Sequence, residues 1–185
     1  MLAIVLLFAL LAGSACTPPP ADDKRIEPVY DKESGRLQQL NYDSDGNGKI
    51  DMWSYMDGAR IIRIEIDKNE DGTIDRWEYY GADQALEKVG FSRAGDGKED
   101  AWSYAGPDGS ILRIDVSTRR DGKIDRVESY ERNVLVSAVV TAGDDTGPDK
   151  WETYDATGRL ASVAFDTLHR GTPDRRLVYG ANGTV

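Results

Sequence analysis

A single spacing constrains this chain more than any other feature. The loose string G-x-x-D ends at Asp51, Asp75, Asp100, Asp125, Asp149 and Asp174, at intervals of 24, 25, 25, 24 and 25 residues. Two positions after each Asp stand Trp53, Trp77, Trp102, Val127, Trp151 and Arg176, so all four tryptophans share one repeat position. Fourteen positions before each Asp lie Leu37, Ile61, Leu86, Ile111, Leu135 and Leu160. A fixed short period means one supersecondary unit repeated in tandem, each too small to bury an apolar face alone.

Within a unit, apolar residues alternate with polar ones, as in RIIRIEID and TIDRWEYY, with β-branched and aromatic residues prominent. That is a strand signal. Each acidic glycine-bearing stretch such as DSDGNGKID, and each short link such as YMDGAR or AGPDGS, supplies turn residues. The reading is all-β: an antiparallel meander of about six tandem 24–25-residue β-hairpin repeats. Tyr30-Asp31 and Gly35-Arg36-Leu37 copy Tyr154-Asp155 and Gly158-Arg159-Leu160, so a leading half-unit starts near Arg25. Open sheets of about twelve strands tend to curl, split or close, so a curled or barrel-like sheet is expected. Two-strand units are too small for the four-strand blades of a propeller.

The amino end carries an address. Leu2 to Ala12 is an uncharged apolar run, too short for a bilayer-spanning helix, and Gly13, Ser14, Ala15 and Cys16 follow it. The small residues before a lone Cys resemble the lipobox of bacterial lipoproteins. That resemblance implies a signal peptide over 1–15, acylation at Cys16, and a lipid-anchored protein of the cell envelope, at the outer membrane in a diderm because Thr17 follows the Cys. The alternative is an ordinary secretory signal in which Cys16 is incidental. Residues 16–24 include the Pro-rich stretch TPPPADD, an extended tether, and the repeat domain then spans 25–185.

The first two loops look built for calcium. Loop one sets Asp43, Asp45 and Asn47 at alternate positions, then Gly48, Lys49 and finally Asp51; loop two has Asp67, Asn69, Asp71, Gly72, Thr73, Asp75 and then Glu78. Alternating oxygen side chains converge when a loop wraps a centre, while Gly permits the sharp turn and Lys49 or Thr73 offers a backbone carbonyl. The pattern resembles the EF-hand loop, with Glu78 at its bidentate last position, and more closely the Asp-x-Asp-x-Asp-Gly-x-x-Asp loop of FG-GAP repeats. The units also resemble Asp-Gly-rich repeats of bacterial lipoproteins and, at Tyr-Asp-x-x-Gly-Arg-Leu, the YD repeats of Rhs-type shell proteins. EF-hand helices do not fit, because about a dozen residues of period two separate successive loops.

Later loops lose the pattern: Ser92, Ala94 and Asp96; Ser117, Arg119 and Asp121; Thr141, Gly143 and Asp145; Asp166 with Arg170. An Arg in such a loop repels a cation, so there the final Asp is read as a cap on turn amides. Turn capping competes with Ca²⁺ for loops one and two as well.

Composition narrows function. With 33 acidic against 23 basic side chains the net charge is −10, and no basic run exists, which argues against nucleic acid. One His (His169) and one Cys leave few parts for a catalytic triad or a zinc site. Asp75 and Glu78 could be imagined as a glycosidase dyad, but as ligands or caps they are already explained, and no enzyme is expected. The sequence points to a calcium-stabilised structural or binding module. The alternative is a receptor or accessory module for an envelope protein or glycan partner, using an aromatic face.

Overall fold

The computed structural model describes residues 25–141, 147–180 and 182–184. The expected signal peptide, Cys16 and the tether lie outside the described residues. The thirteen strands are β1 (Ile26–Tyr30), β2 (Leu37–Tyr42), β3 (Met52–Asp57), β4 (Arg60–Ile66), β5 (Arg76–Tyr80), β6 (Leu86–Phe91), β7 (Ala101–Ala105), β8 (Ile111–Val116), β9 (Arg126–Glu131), β10 (Val134–Val140), β11 (Lys150–Tyr154), β12 (Leu160–Phe165) and β13 (Arg175–Val178). They form one antiparallel sheet in sequence order. It is open, with β1 and β13 at its two ends, so it does not close as a barrel does.

The register aligns one residue of every strand in a single row: Glu27, Asn41, Trp53, Glu65, Trp77, Gly90, Trp102, Asp115, Val127, Val139, Trp151, Ala164 and Arg176. Trp53, Trp77 and Trp102 are thus separated one from the next by a single strand, carrying Glu65 or Gly90, whereas Asp115, Val127 and Val139 stand between Trp102 and Trp151. Trp77 is 7% exposed, whereas Trp53, Trp102 and Trp151 are half-buried. Strand alternation puts the neighbouring row on the opposite face. There Leu40, Ile64, Val89, Ile114, Ala138 and Val163 of the even strands flank Ser54, Glu78, Ser103, Glu128 and Glu152 of the odd ones. Cross-strand pairs of this kind are the unit of sheet stabilisation.

Each face is laced by charged and aromatic side chains whose stems cover apolar neighbours. On the Trp face, Arg63 pairs with Glu65 and stacks over Tyr55, while Arg113 pairs with Asp115 and stacks over Tyr104. On the other face, Arg76 pairs with Glu78, and Arg126 pairs with Glu128 and, two strands away, with Glu152 at 2.7 Å. The hydroxyls of Tyr80, Tyr130 and Tyr154 donate to Glu78, Glu128 and Glu152, each at 2.7 Å.

Glu152 is the most committed of these acids. Burial pushes its carboxyl up, but donors from Lys150, Tyr154 and Arg126 outweigh that and hold it at about 2. A depressed folded-state value stabilises the fold above the ordinary carboxylate range, and that contribution is lost as pH falls from about 4.5 towards 2. Glu152→Gln should therefore lower stability at neutral pH by about 1.5 to 3 kcal/mol. Urea unfolding from pH 7 to 2.5 should show a shallower acid loss in the variant than in the parent; equal slopes would contradict this assignment.

Every hairpin closed at the short-turn end contains a register shift, next to Tyr30, Met56, Tyr80, Ala105, Leu135 and Tyr154. In each the even strand carries one extra residue, a β-bulge. Ile62 and Leu112 occupy two of these extra positions and are 48% and 50% exposed, which accounts for apolar side chains on the surface where strict alternation has no place for them.

Candidate metal centre

The long connections, residues 43–51, 67–75, 92–100, 117–125, 141–149 and 166–174, are loops one to six. All join an even strand to the next odd strand and so lie along one margin of the sheet. Backbone bonds run across this margin from loop to loop: the Asp67 amide donates to Asp51 O, Ser92 to Asp75 O, Ser117 to Asp100 O, Thr141 to Asp125 O and Asp166 to Asp149 O, at 2.8–3.0 Å.

Inside each described loop the last Asp closes the turn. Its carboxylate accepts the backbone amide of Ser44 in loop one, Lys68 in loop two, Arg93 in loop three, Thr118 in loop four and Leu168 in loop six, at 2.8–3.1 Å. This is the turn-capping role expected for the persistent aspartates.

Loop one is the most acidic at close range. The Asp43, Asp45 and Asp51 carboxylates each bring an oxygen within 4.8 Å of the others. Asp43 and Asp51 are both 5% exposed. Asp43 accepts the Gly46 amide at 2.7 Å, the Gly48 amide at 2.8 Å and the Asn47 amide at 3.1 Å. Burial pushes its carboxyl up, yet the Gly48, Gly46 and Asn47 amides more than compensate and hold it below the usual carboxylate range. Asn47 donates its own amide to Asp45 and presents Oδ1 to the Lys49 amide at 2.9 Å. The Lys49 ammonium turns to Glu70, 3.6 Å away, and Arg25 packs against Gly46. Among the described residues no basic side chain forms an ion pair with the three carboxylates.

Loop two is looser. Asp67, 4% exposed, accepts the Gly72 amide through Oδ2 at 2.8 Å, and its Oδ1 is buried without a hydrogen-bond partner. Asp71 accepts from Thr73 and Asn69, and Asp75 accepts from Lys68. The three carboxylates do not converge as those of loop one do. Glu78 is not part of the loop: β5 places it opposite Ile64 and Val89, where Arg76 and Tyr80 occupy it.

Loops three and four carry their own cations. Arg120 pairs with Asp96 at 2.5 Å and Asp100 at 3.4 Å, Arg93 pairs with Asp100 at 3.3 Å, and Arg119 pairs with Asp125 at 3.3 Å. A guanidinium there meets the electrostatic demand that a metal would meet elsewhere.

The fourth residue of the loops has a conformation that sequence spacing did not reveal. Gly46, Glu70, Gly95, Arg120 and His169 all have positive φ, between 51° and 78°. The three with side chains reach back to the preceding loop. Glu70 accepts from Asn47 at 2.6 Å, Arg120 pairs with loop three, and His169 Nδ1 lies 3.7 Å from Asp149. Left-handed backbone at non-glycine residues is disfavoured, so these bridges stand where surrounding contacts impose the conformation. Glycine stands at this position only in loops one and three, so residue type did not mark it in the sequence.

No family model matches the chain, and no curated protein matches it. Among solved structures, it is similar to an S. aureus TarM mutant in complex with fondaparinux, alpha-GlcNAc-glycerol and UDP, at 12% identity and TM-score 0.43 over 54% of this chain and 19% of that one. It is also similar to the accessory secretory protein 1, 2 and 3 structure from Streptococcus pneumoniae, at 16% identity and TM-score 0.42 over 58% and 19%. A third similarity is to the GtfA/B complex bound to UDP and GlcNAc, at 15% identity and TM-score 0.32 over 68% and 23%. The chain thus corresponds to about a fifth of the length of each.

Proposed function

We propose that this protein is a non-enzymatic, calcium-stabilised β-repeat lipoprotein of the cell envelope, built from about six tandem hairpin units in a curled sheet. It serves as a structural or binding module held to the membrane through Cys16. The observation that carries the calcium reading is loop one, where three carboxylates crowd together with no basic side chain ion-paired to them, while loops three and four supply arginines. The buried, unpartnered Oδ1 of Asp67 extends the reading to loop two. Oxygen-only donors of this kind suit Ca²⁺, whereas Mg²⁺ demands a small octahedral shell and keeps its water.

A cation that binds only the folded state raises stability by RT ln(1 + [Ca²⁺]/Kd). With Kd of about 10⁻⁴ to 10⁻³ M, common for extracellular modules, 1 mM Ca²⁺ adds about 0.4 to 1.4 kcal/mol per site. Thermal melts with Ca²⁺ and with chelator should separate accordingly, and Mg²⁺ should give a smaller shift; superimposed melts would remove calcium from the proposal.

Anchoring has its own test. Cys16→Ser should move the protein from the membrane pellet to the soluble fraction, since the chain has a single thiol to acylate. Recovery of the unaltered protein as a soluble, unacylated species would end the lipoprotein reading.

A further inference from the structure

Taking the protein as the binding module proposed above, we propose that its Trp face between β3 and β8 binds an extended, uncharged, β-linked glycan whose sugar rings stack on Tyr55, Tyr79 and Tyr104. Beside the tryptophan row the register lines up Tyr55, Arg63, Tyr79, Lys88, Tyr104 and Arg113. Tyr55 is opposite Arg63, Arg63 opposite Tyr79, Tyr79 opposite Lys88 and Tyr104 opposite Arg113, while the pairing of Val89 with Ser103 brings Lys88 to Tyr104. Rings and cations therefore alternate over six neighbouring strands. Arg63 lies 4.5 Å over the Tyr55 ring, Lys88 4.4 Å over Tyr79 and Arg113 5.4 Å over Tyr104. These contacts hold the rings before a ligand arrives, which lowers the ordering cost of binding.

The sheet does not need this ladder to hold the row. From β9 to β12 the same register reads Ser129, Ser137, Thr153 and Ser162. There a 2.8 Å hydrogen bond between Thr153 and Ser162 stands in place of ring and charge. The bulges add an apolar rim where the ladder runs. Ile62 and Leu112, 48% and 50% exposed, stand next to Arg63 and Arg113. Tyr55, Ile62, Arg63 and Tyr79 line a depression of about 320 Å³. Trp77 is buried, so the platform falls to the half-buried tyrosines.

Spacing and polarity select the ligand. Successive tyrosines are two strands apart, about 9 to 10 Å at the usual strand separation. A disaccharide of an extended β-linked pyranose chain has the same length, so alternate sugars meet successive tyrosines, and the apolar C–H face of a pyranose suits a phenol ring. Strand twist turns each platform relative to the last, which a glycan follows by rotation at its glycosidic bonds. Sugar hydroxyls both donate and accept, and the row offers both kinds of partner. Glu65 accepts the Tyr55 hydroxyl at 2.9 Å, and Glu99 accepts from the Tyr79 hydroxyl and Trp102 Nε1, so carboxylates with further lone pairs sit beside the rings. Glu65, Glu99 and Asp115 offset Arg63, Lys88 and Arg113, which favours an uncharged chain. A polyproline helix repeats at about 9.3 Å as well, but proline has no N–H to give those carboxylates.

The test is calorimetric titration of the full chain with cellopentaose and with chitopentaose. Saturable binding of at least one is expected, and maltopentaose, whose α-linkages coil the chain, should bind at least about tenfold more weakly. Tyr79→Ala should weaken binding at least about tenfold, and Tyr79→Phe, which keeps the ring, should recover most of that loss. Ile62→Asp, at an exposed position, should weaken binding without lowering the melting temperature. Titrations in Ca²⁺ and in chelator should agree, because loops one and two lie at the margin away from the bulges, so the glycan and calcium readings fail or survive separately. Absence of binding of either glycan to the unaltered protein would overturn the proposal. So would equal affinity for maltopentaose, or undiminished affinity in both Tyr79→Ala and Ile62→Asp, which would place the sugar elsewhere. A proline decamer bound more tightly than either glycan would make a Pro-rich segment the occupant and overturn it too.

Discussion

Trp77→Ala should destabilise the fold by about 3 to 5 kcal/mol, the largest effect expected of any single truncation here. Trp77 is 7% exposed, and the other buried apolar residues are small: Val89, Ala101, Val116, Ala138, Val163 and Ala164. Its neighbours across the sheet are Glu65 and Gly90. Neither can collapse into the space that the indole leaves. The carboxylate of Glu65 is tied to Arg63 and Tyr55, and glycine has no side chain to move. Trp53→Ala, at a half-buried copy of the same position, should cost less. Denaturant unfolding of the two variants measures the difference, and a loss at Trp77 below about 1 kcal/mol would contradict the burial on which it rests.

Asp125→Ala should cost about 2 to 3 kcal/mol, the next largest effect, because it strands several donors at once. Asp125 is 4% exposed and accepts the Thr118 amide at 2.8 Å, the Arg119 amide at 3.2 Å and, as an ion pair at 3.3 Å, the Arg119 guanidinium. Asp121, in the same loop, has a side chain 45% exposed and lies 3.8 Å from Arg119. Its removal should cost under about 1 kcal/mol, as for an exposed pair. Equal losses at the two positions would mean that the last Asp does not hold the turn. Neither substitution should alter the response to Ca²⁺, since Arg119 already answers the charge in that loop.

Much of the sheet was legible because its causes are local. Period-two alternation in RIIRIEID and TIDRWEYY marks β4 and β5, and the copy of Tyr30-Asp31 at Tyr154-Asp155 marks a strand ahead of the first complete unit, where β1 lies. The bulges were hidden. Ile61 and Ile62 stand side by side in the sequence, and only the pairing of Tyr55 with Arg63 and Met56 with Ile61 shows that Ile62 is the extra residue. Closure was also beyond local pattern, since alternation is the same in an open sheet and a barrel.

The loops divide in the same way. Asp43, Asp45 and Asp51 come together as their spacing suggests, because the intervening glycines let the chain fold back on itself. Glu78 fits the loop pattern by count, yet its fate is decided by Arg76 and Tyr80 on the sheet. The bridges from Glu70 and Arg120 to the preceding loops join residues more than twenty positions apart, which no nine-residue motif contains.

Calorimetric titration of Ca²⁺ into chelator-treated protein tests the calcium reading most directly. Saturable binding is expected with Kd of about 10⁻⁴ to 10⁻³ M. Asp45→Ala should remove the loop-one component, Asp71→Ala the loop-two component, and Asp121→Ala neither. A titration with no heat beyond dilution, together with a melting temperature indifferent to Ca²⁺ and chelator, would contradict it and leave these aspartates as turn formers alone.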